Sequence, residues 1–147
     1  MTEKEFNTNL LLPLEFSIST SKIASEKATN PLVKEFAGFE LAEATALSTV
    51  LKDMGAMAPV MEEEMKALFQ GLESTAAGSM FDRFYLDVQL KNHQVLREFT
   101  EDYLNDAPTA DLDTEEVNGR YIASLIFPAI EAHLTMAERL LKESSTG

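Results

Sequence analysis

Between Val33 and Met54 (VKEFAGFELAEATALSTVLKDM) the chain reads as an amphipathic helix that carries two glutamates on its apolar side. At about 100° per residue, Leu32, Val33, Phe36, Phe39, Leu47, Val50, Leu51 and Met54 fall in one broad sector. Glu40 projects near the middle of that sector and Glu43 lies within it, whereas Lys34, Thr45 and Lys52 point the other way. An ionised carboxylate taken out of water costs several kcal/mol when it is unpaired. A core-facing pair therefore needs a proton, a partner or a metal.

The other segments supply helices to build that core. Thr2 to Lys27 reads as a first helix on Phe6, Leu10, Leu11, Leu14 and Ile18, continued by Ser21 and Ser25, whose small side chains admit a close neighbour. Glu15 falls at the border of that face. Asn30 and Pro31 are an N-cap and a first-position proline that open the second helix, and Gly55 closes it. After Pro59, MEEEMKALFQGL is a short helix in the connection between the second and third long ones, with Glu62 to Glu64 in its first turn. Its methionines, continuing from Met54 and Met57, read as apolar packing rather than as a soft-metal row.

Ser79 to Asn105 forms a third long helix, with Phe81, Phe84, Tyr85, Val88, Val95, Leu96, Phe99 and Tyr103 on its core face. Asp82, Gln89, His93 and Thr100 make a polar line along the margin of that face. A loop marked by Pro108, Asp111 and Asp113 follows, and either Asp113 or Thr114 caps the next helix. That fourth helix runs from Val117 to Lys142 on Tyr121, Ile122, Leu125, Ile126, Ala129, Met136, Ala137 and Leu140, with His133 near the centre of the face. Pro128 should kink or split it. No segment alternates as a strand would. The pattern predicts an all-α fold in one domain over residues 1–147: an antiparallel four-helix bundle with a short extra helix and a proline kink in the fourth.

Glu40, Glu43 and His133 are the polar groups aimed most directly into such a core, with His93, Asp82 and Glu15 at its edges and Tyr85 nearby. Lys34, Lys52, Arg83, Lys91, Arg97, Arg120, Arg139 and Lys142 all project away from it, so no basic side chain is an obvious counter-ion for the two glutamates. A protonated carboxyl, a histidinium or a bound cation remains. Burial and mutual repulsion would raise the pKa of at least one glutamate. Carboxylates mixed with imidazoles also suit iron, manganese or zinc. The Glu40-x-x-Glu43 spacing puts both carboxylates on one face, although the Glu-x-x-His pair of helical di-metal sites is absent, since Ile130 stands three residues before His133.

Composition closes off other chemistries. The chain has no cysteine for a thiolate site and only two histidines, so a three-His zinc site within one chain is excluded. No Gly-rich phosphate loop follows a strand, nothing marks an activated serine, and no organic cofactor is implied. The net charge of −13 argues against nucleic acid and anionic membranes as partners. No apolar run approaches the roughly 20 residues of a membrane-spanning helix. The opening MTEKEFNTN has acids and amides where a secretory signal would begin basic and then turn apolar. That fits a cytoplasmic protein, or an exported one whose signal has been removed.

FDRFYLDVQLKNHQ (Phe81 to Gln94) resembles the F-D-x-x-Y…H signature of a bacterial ferritin-like domain family of unknown function. PLVKEFAGFE in the second helix and FPAIEAHLTMAERL (Phe127 to Leu140), with its P-x-x-x-x-H spacing, are similar to the family's other two characteristic stretches. The resemblance spans Glu15 to Leu140. It implies a ferritin-like four-helix bundle, with relatives that are bacterial and commonly exported, and puts Asp82, Tyr85, His93, Pro128 and His133 on signature positions. The second helix departs from the pattern. Glu43-Ala44 stands where the family carries an Asp-His pair, and Glu40 occupies a position that is usually apolar.

Two functional expectations follow. In one, the bundle binds one or two divalent metals (iron, manganese or zinc) through Glu40, Glu43, His93 and His133. Glu15 and Asp82 are then outer ligands or orienting groups, and Tyr85 is a redox-accessible neighbour. In the other, a metal-free bundle acts through its surface, and the buried polar cluster serves only structural specificity. A homodimer is compatible with either, and neither names a protein partner or a reaction.

Overall fold

A computed structural model describes residues 1–106 and 112–146, with side chains through Ser144. The described residues form five α-helices and no strand: α1 (Glu3–Lys27), α2 (Pro31–Asp53), α3 (Glu63–Ser74), α4 (Ser79–Asn105) and α5 (Thr114–Thr146). Local chemistry sets their ends. Thr2 and Glu5 form a capping box: the Thr2 hydroxyl accepts from Glu5 N–H at 3.2 Å, and the Glu5 carboxylate accepts from Thr2 N–H at 2.8 Å. Asn30 caps α2 by accepting from Leu32 N–H at 2.9 Å, with Pro31 as the first helical residue. At the other end, Gly55 takes a φ of +95°. Its N–H and that of Ala56 then close onto the carbonyls of Lys52 and Leu51. Asp113 rather than Thr114 caps α5, through its Oδ1 and Glu116 N–H at 2.9 Å. The loop expected around Pro108 and Asp111 lies outside the described residues, as does the end of the tail at Gly147.

α1 packs mainly against α2 and α4, and α4 against α5; α3 lies against α1 and α4, while α2 and α5 touch sparingly. The buried apolar side chains fall into two clusters. One is built around Phe36, Phe81, Tyr85 and Leu86; the other holds Phe6, Leu10, Leu51 and Tyr103, with Phe6 stacked on Tyr103 at 4.2 Å. Each large side chain buried there contributes about 1.5–3 kcal/mol. Polar residues fall between the clusters on every long helix. Ser17 lies between Leu14 and Ala24, Glu40 between Ala37 and Ala44, Gln89 and His93 between Val88 and Leu96, and His133 between Ile130 and Ala137. A buried polar layer thus crosses an apolar interior.

Helix rotation differs from the expected faces in several places. The buried stripe of α2 is Val33, Phe36, Ala37, Glu40, Ala44, Ser48 and Leu51, whereas Leu32, Phe39, Val50 and Met54 are exposed. Small residues at the centre of the stripe let α1 come close and leave the flanking large side chains in solvent. On α4, Asp82, Gln89, His93 and Thr100 are buried rather than marginal, and Val95 is exposed. On α5, Tyr121 and Leu125 are exposed. α5 is not split at Pro128: the helix is continuous through it, anchored on either side by buried Ala123 and Ile130.

Candidate metal centre

Glu40 on α2, His93 on α4 and His133 on α5 converge in the polar layer. Each offers one ligand atom, and these atoms all lie within 4.8 Å of one another. The three residues are 3%, 3% and 7% exposed. Glu40 Oε2 is shared: His93 Nε2 lies 3.1 Å away, and His133 Nδ1 is in direct contact with the same oxygen. The other carboxylate oxygen accepts from Ser17 Oγ of α1 at 2.7 Å. Ser17 also lies 3.0 Å from Gln89 Oε1, and Gln89 Nε2 donates to Thr20 Oγ1 at 2.7 Å. Glu43 stands at the rim with its side chain 57% exposed, and its Oε2 lies 2.8 Å from His133 Nε2.

Counting hydrogens shows what these contacts require. His93 Nδ1 lies 2.8 Å from the Gln89 carbonyl oxygen. That oxygen only accepts, so Nδ1 carries the hydrogen. In a neutral ring, Nε2 then turns a lone pair toward Glu40 Oε2, which is another acceptor. His133 faces carboxylate oxygens with both of its nitrogens. The ring nitrogens thus meet oxygen acceptors at all four positions, while two neutral imidazoles bring only two hydrogens. Two further positive charges are needed, as two protons or as one divalent cation.

The electrostatics follow the same neighbours. Burial pushes the Glu40 carboxyl up, but with the imidazoles protonated the hydrogen bonds and charge of His133 and His93 more than offset it and hold it far below the usual carboxylate range. This reverses the expectation that repulsion between the two glutamates raises a pKa, because Glu40 has imidazoles for neighbours and Glu43 reaches into water. For His133, burial acts downward, and the Glu40 hydrogen bond with the charges of Glu40 and Glu43 raises it overall.

The remaining expected site residues lie elsewhere. Glu15 is engaged by Ser48 Oγ and Lys52 Nζ, each at 2.6 Å, so Lys52 folds back as a counter-ion for a different glutamate. Asp82 accepts from Thr29 N–H and Oγ1, both at 3.0 Å, and from Asn30 N–H at 2.8 Å, tying the start of α4 to the α1–α2 turn. Tyr85 pairs its hydroxyl with Ser21 Oγ at 2.7 Å. Burial, and secondarily the charge of Glu40, push its phenol pKa up despite that bond. The residue that sequence reasoning passed over is Ser17. Its signal was its place on the stripe of α1, three residues after Leu14 and four before Ser21.

The donors fit a metal ion. A cation held at about 2.1 Å by nitrogen and oxygen needs ligand atoms about 3.0–3.4 Å apart. The His93–Glu40 separation of 3.1 Å is already of that size. Outer partners are in place for each ligand: the Gln89 carbonyl on His93, Glu43 on His133 and Ser17 on Glu40. Among the described residues no second group of three acidic or imidazole side chains converges in this way.

No curated protein and no solved structure is significantly similar to the chain. The profile of one domain family, described as a domain of unknown function (DUF4142), matches residues 1–140. With nearly its whole length covered by that profile, the chain belongs to the DUF4142 family.

Proposed function

We propose that this protein is a ferritin-like four-helix bundle that binds a single divalent metal ion, iron, manganese or zinc, through Glu40, His93 and His133. Glu43 orients His133 from the rim. The observation that carries this reading is the hydrogen count at the two imidazoles: one divalent ion supplies the two positive charges their contacts lack. Two imidazoles and one carboxylate leave open positions on such an ion, where water or an exogenous ligand binds. Ser17 and the Gln89 carbonyl fix the ligands before the ion arrives, which lowers the ordering cost of binding.

Elemental analysis of protein purified without chelator tests this. About one ion per chain is expected, and Glu40→Ala combined with His133→Ala should abolish it. Retention of metal by the double variant would overturn the assignment.

A second reading, a metal-free bundle whose polar cluster is only structural, draws on His133. Its proton affinity is lowered by burial but raised overall by Glu40 and Glu43, so protons can fill the same contacts. In that case the wild type carries no metal, and Glu40→Leu, which leaves Ser17 and both imidazoles buried without their shared acceptor, lowers the melting temperature.

A further inference from the structure

A cavity of about 340 Å³ opens beside the Glu40, His93 and His133 cluster. Its lining has a direction. On α2 it runs from Glu40 to Val50, on α4 from His93 to Leu96, and on α5 from His133 back to Leu125, while α1 adds Leu10 and Leu14. Each of the three polar helices therefore contributes its polar residues at the same end, and beyond them the walls are apolar. Val50 and Leu125 at the far end are exposed, which puts an apolar mouth at α2 and α5, which touch each other sparingly.

We infer that this cavity binds an aliphatic monocarboxylate of medium chain length, its carboxylate on the metal ion and its chain along the apolar walls. The inference rests on the metal reading above and names the class of ligand that completes the site. The cavity volume lies at the small end of ligand pockets and suits a chain of about ten carbons. Walls of leucine, isoleucine and alanine leave any polar group along the chain without a hydrogen-bond partner, which excludes sugars and amino acids. Charge selects the head. Two neutral imidazoles, the Glu40 carboxylate and a divalent ion leave one positive charge out of water, and a monoanion neutralises it. Glu43, more than half exposed, sits in water whose high dielectric weakens its pull on the buried charge. A carboxylate oxygen is also a donor that iron, manganese and zinc accept. The net charge of −13 slows an approaching anion, but at physiological salt it is screened beyond about 8 Å.

Isothermal titration of decanoate into the zinc-loaded full chain and into the same chain after chelation tests this. The loaded protein should bind decanoate at least tenfold more tightly than the chelated protein, and more tightly than it binds decanol or acetate. Ala129→Phe, which fills the wall, and Val50→Trp, which blocks the mouth without touching the core, should each keep the metal by elemental analysis and lose decanoate. If zinc binds stoichiometrically and decanoate does not, the inference fails and the metal reading stands. Equal decanoate affinity with and without zinc, or undiminished affinity in the folded Val50→Trp variant, also overturns it. A chain that takes up no zinc removes both.

Discussion

His93 turns its Nδ1 to the carbonyl oxygen of Gln89, 2.8 Å away and one turn earlier on α4. That backbone contact fixes the tautomer and points Nε2 at Glu40 whether or not an ion is present. The buried cluster is thus held in part by an element that no side-chain substitution removes, while the opposite imidazole, His133, meets only side chains at its two nitrogens, Glu40 at Nδ1 and Glu43 at Nε2.

Glu43→Ala should therefore weaken metal binding without abolishing it. Outer partners of metal-ligating histidines are typically worth about 10–100-fold in affinity. Competition against a chelating dye measures this. An unchanged affinity would show that the Glu43 contact does not orient the ring.

Ser17→Ala removes the hydroxyl that donates to Glu40 Oε1 at 2.7 Å inside the core. A buried acceptor left unsatisfied costs about 1–3 kcal/mol, more when it is charged. Urea denaturation of the variant should show a loss at or above the middle of that range. A loss under about 0.5 kcal/mol would mean that water replaces the hydroxyl.

Asp82→Ala separates structure from metal chemistry. Its carboxylate accepts from two backbone N–H groups and a hydroxyl at the α1–α2 turn, and hydrogen bonds to a charged group are worth about 1.5–3 kcal/mol each in mutational series. The variant should be clearly less stable to urea yet bind metal with wild-type affinity. Weakened metal binding by the folded variant would return Asp82 to the site as an outer ligand.

Glu3 gives a pH dependence away from the site. Burial, then the charges of Glu115, Glu116 and Asp113, raise its carboxyl pKa above the ordinary 4.5. An acid whose folded-state pKa is raised favours the native state when protonated, and it erodes stability as pH rises from 4.5 through the folded value. Glu3→Gln keeps an oxygen to accept from Asn7 and should be more stable than wild type at pH 7. The difference should shrink as pH falls toward 4.5. Thermal melts across that range read it out, and a difference that grows on acidification would refute the assignment.

Gly119 admits no side chain. A methyl group there would meet Glu3 Cγ and Tyr103 Oη at 2.6 Å. Both neighbours are buried, and the Tyr103 ring is stacked on Phe6, so neither gives way freely. Gly119→Ala should cost about 1–3 kcal/mol through overpacking, against the small gain that alanine brings to a helix. A calorimetric melt that rises would show that the α1–α5 contact can relax.

Taken alone, the sequence determined the helices, because their ends depend on local chemistry. The Asn30-Pro31 start and the Gly55 stop need only neighbours within a few residues. It also determined that Glu40 and His133 turn inward, since helical periodicity fixes a side chain's direction relative to its own helix. Rotation of one helix against another is not local. Whether Phe39, Val50 and Leu125 face core or solvent turned on how closely α1 approaches the small residues of α2, and on the sparing contact between α2 and α5. The pairings were likewise decided only in three dimensions. Glu40 and His133 are separated by 93 residues, Ser17 and Glu40 by 23. Glu15 found Lys52 across a helix pair that the faces alone had set apart. Periodicity orders residues along one axis, and the buried cluster required four axes brought into register.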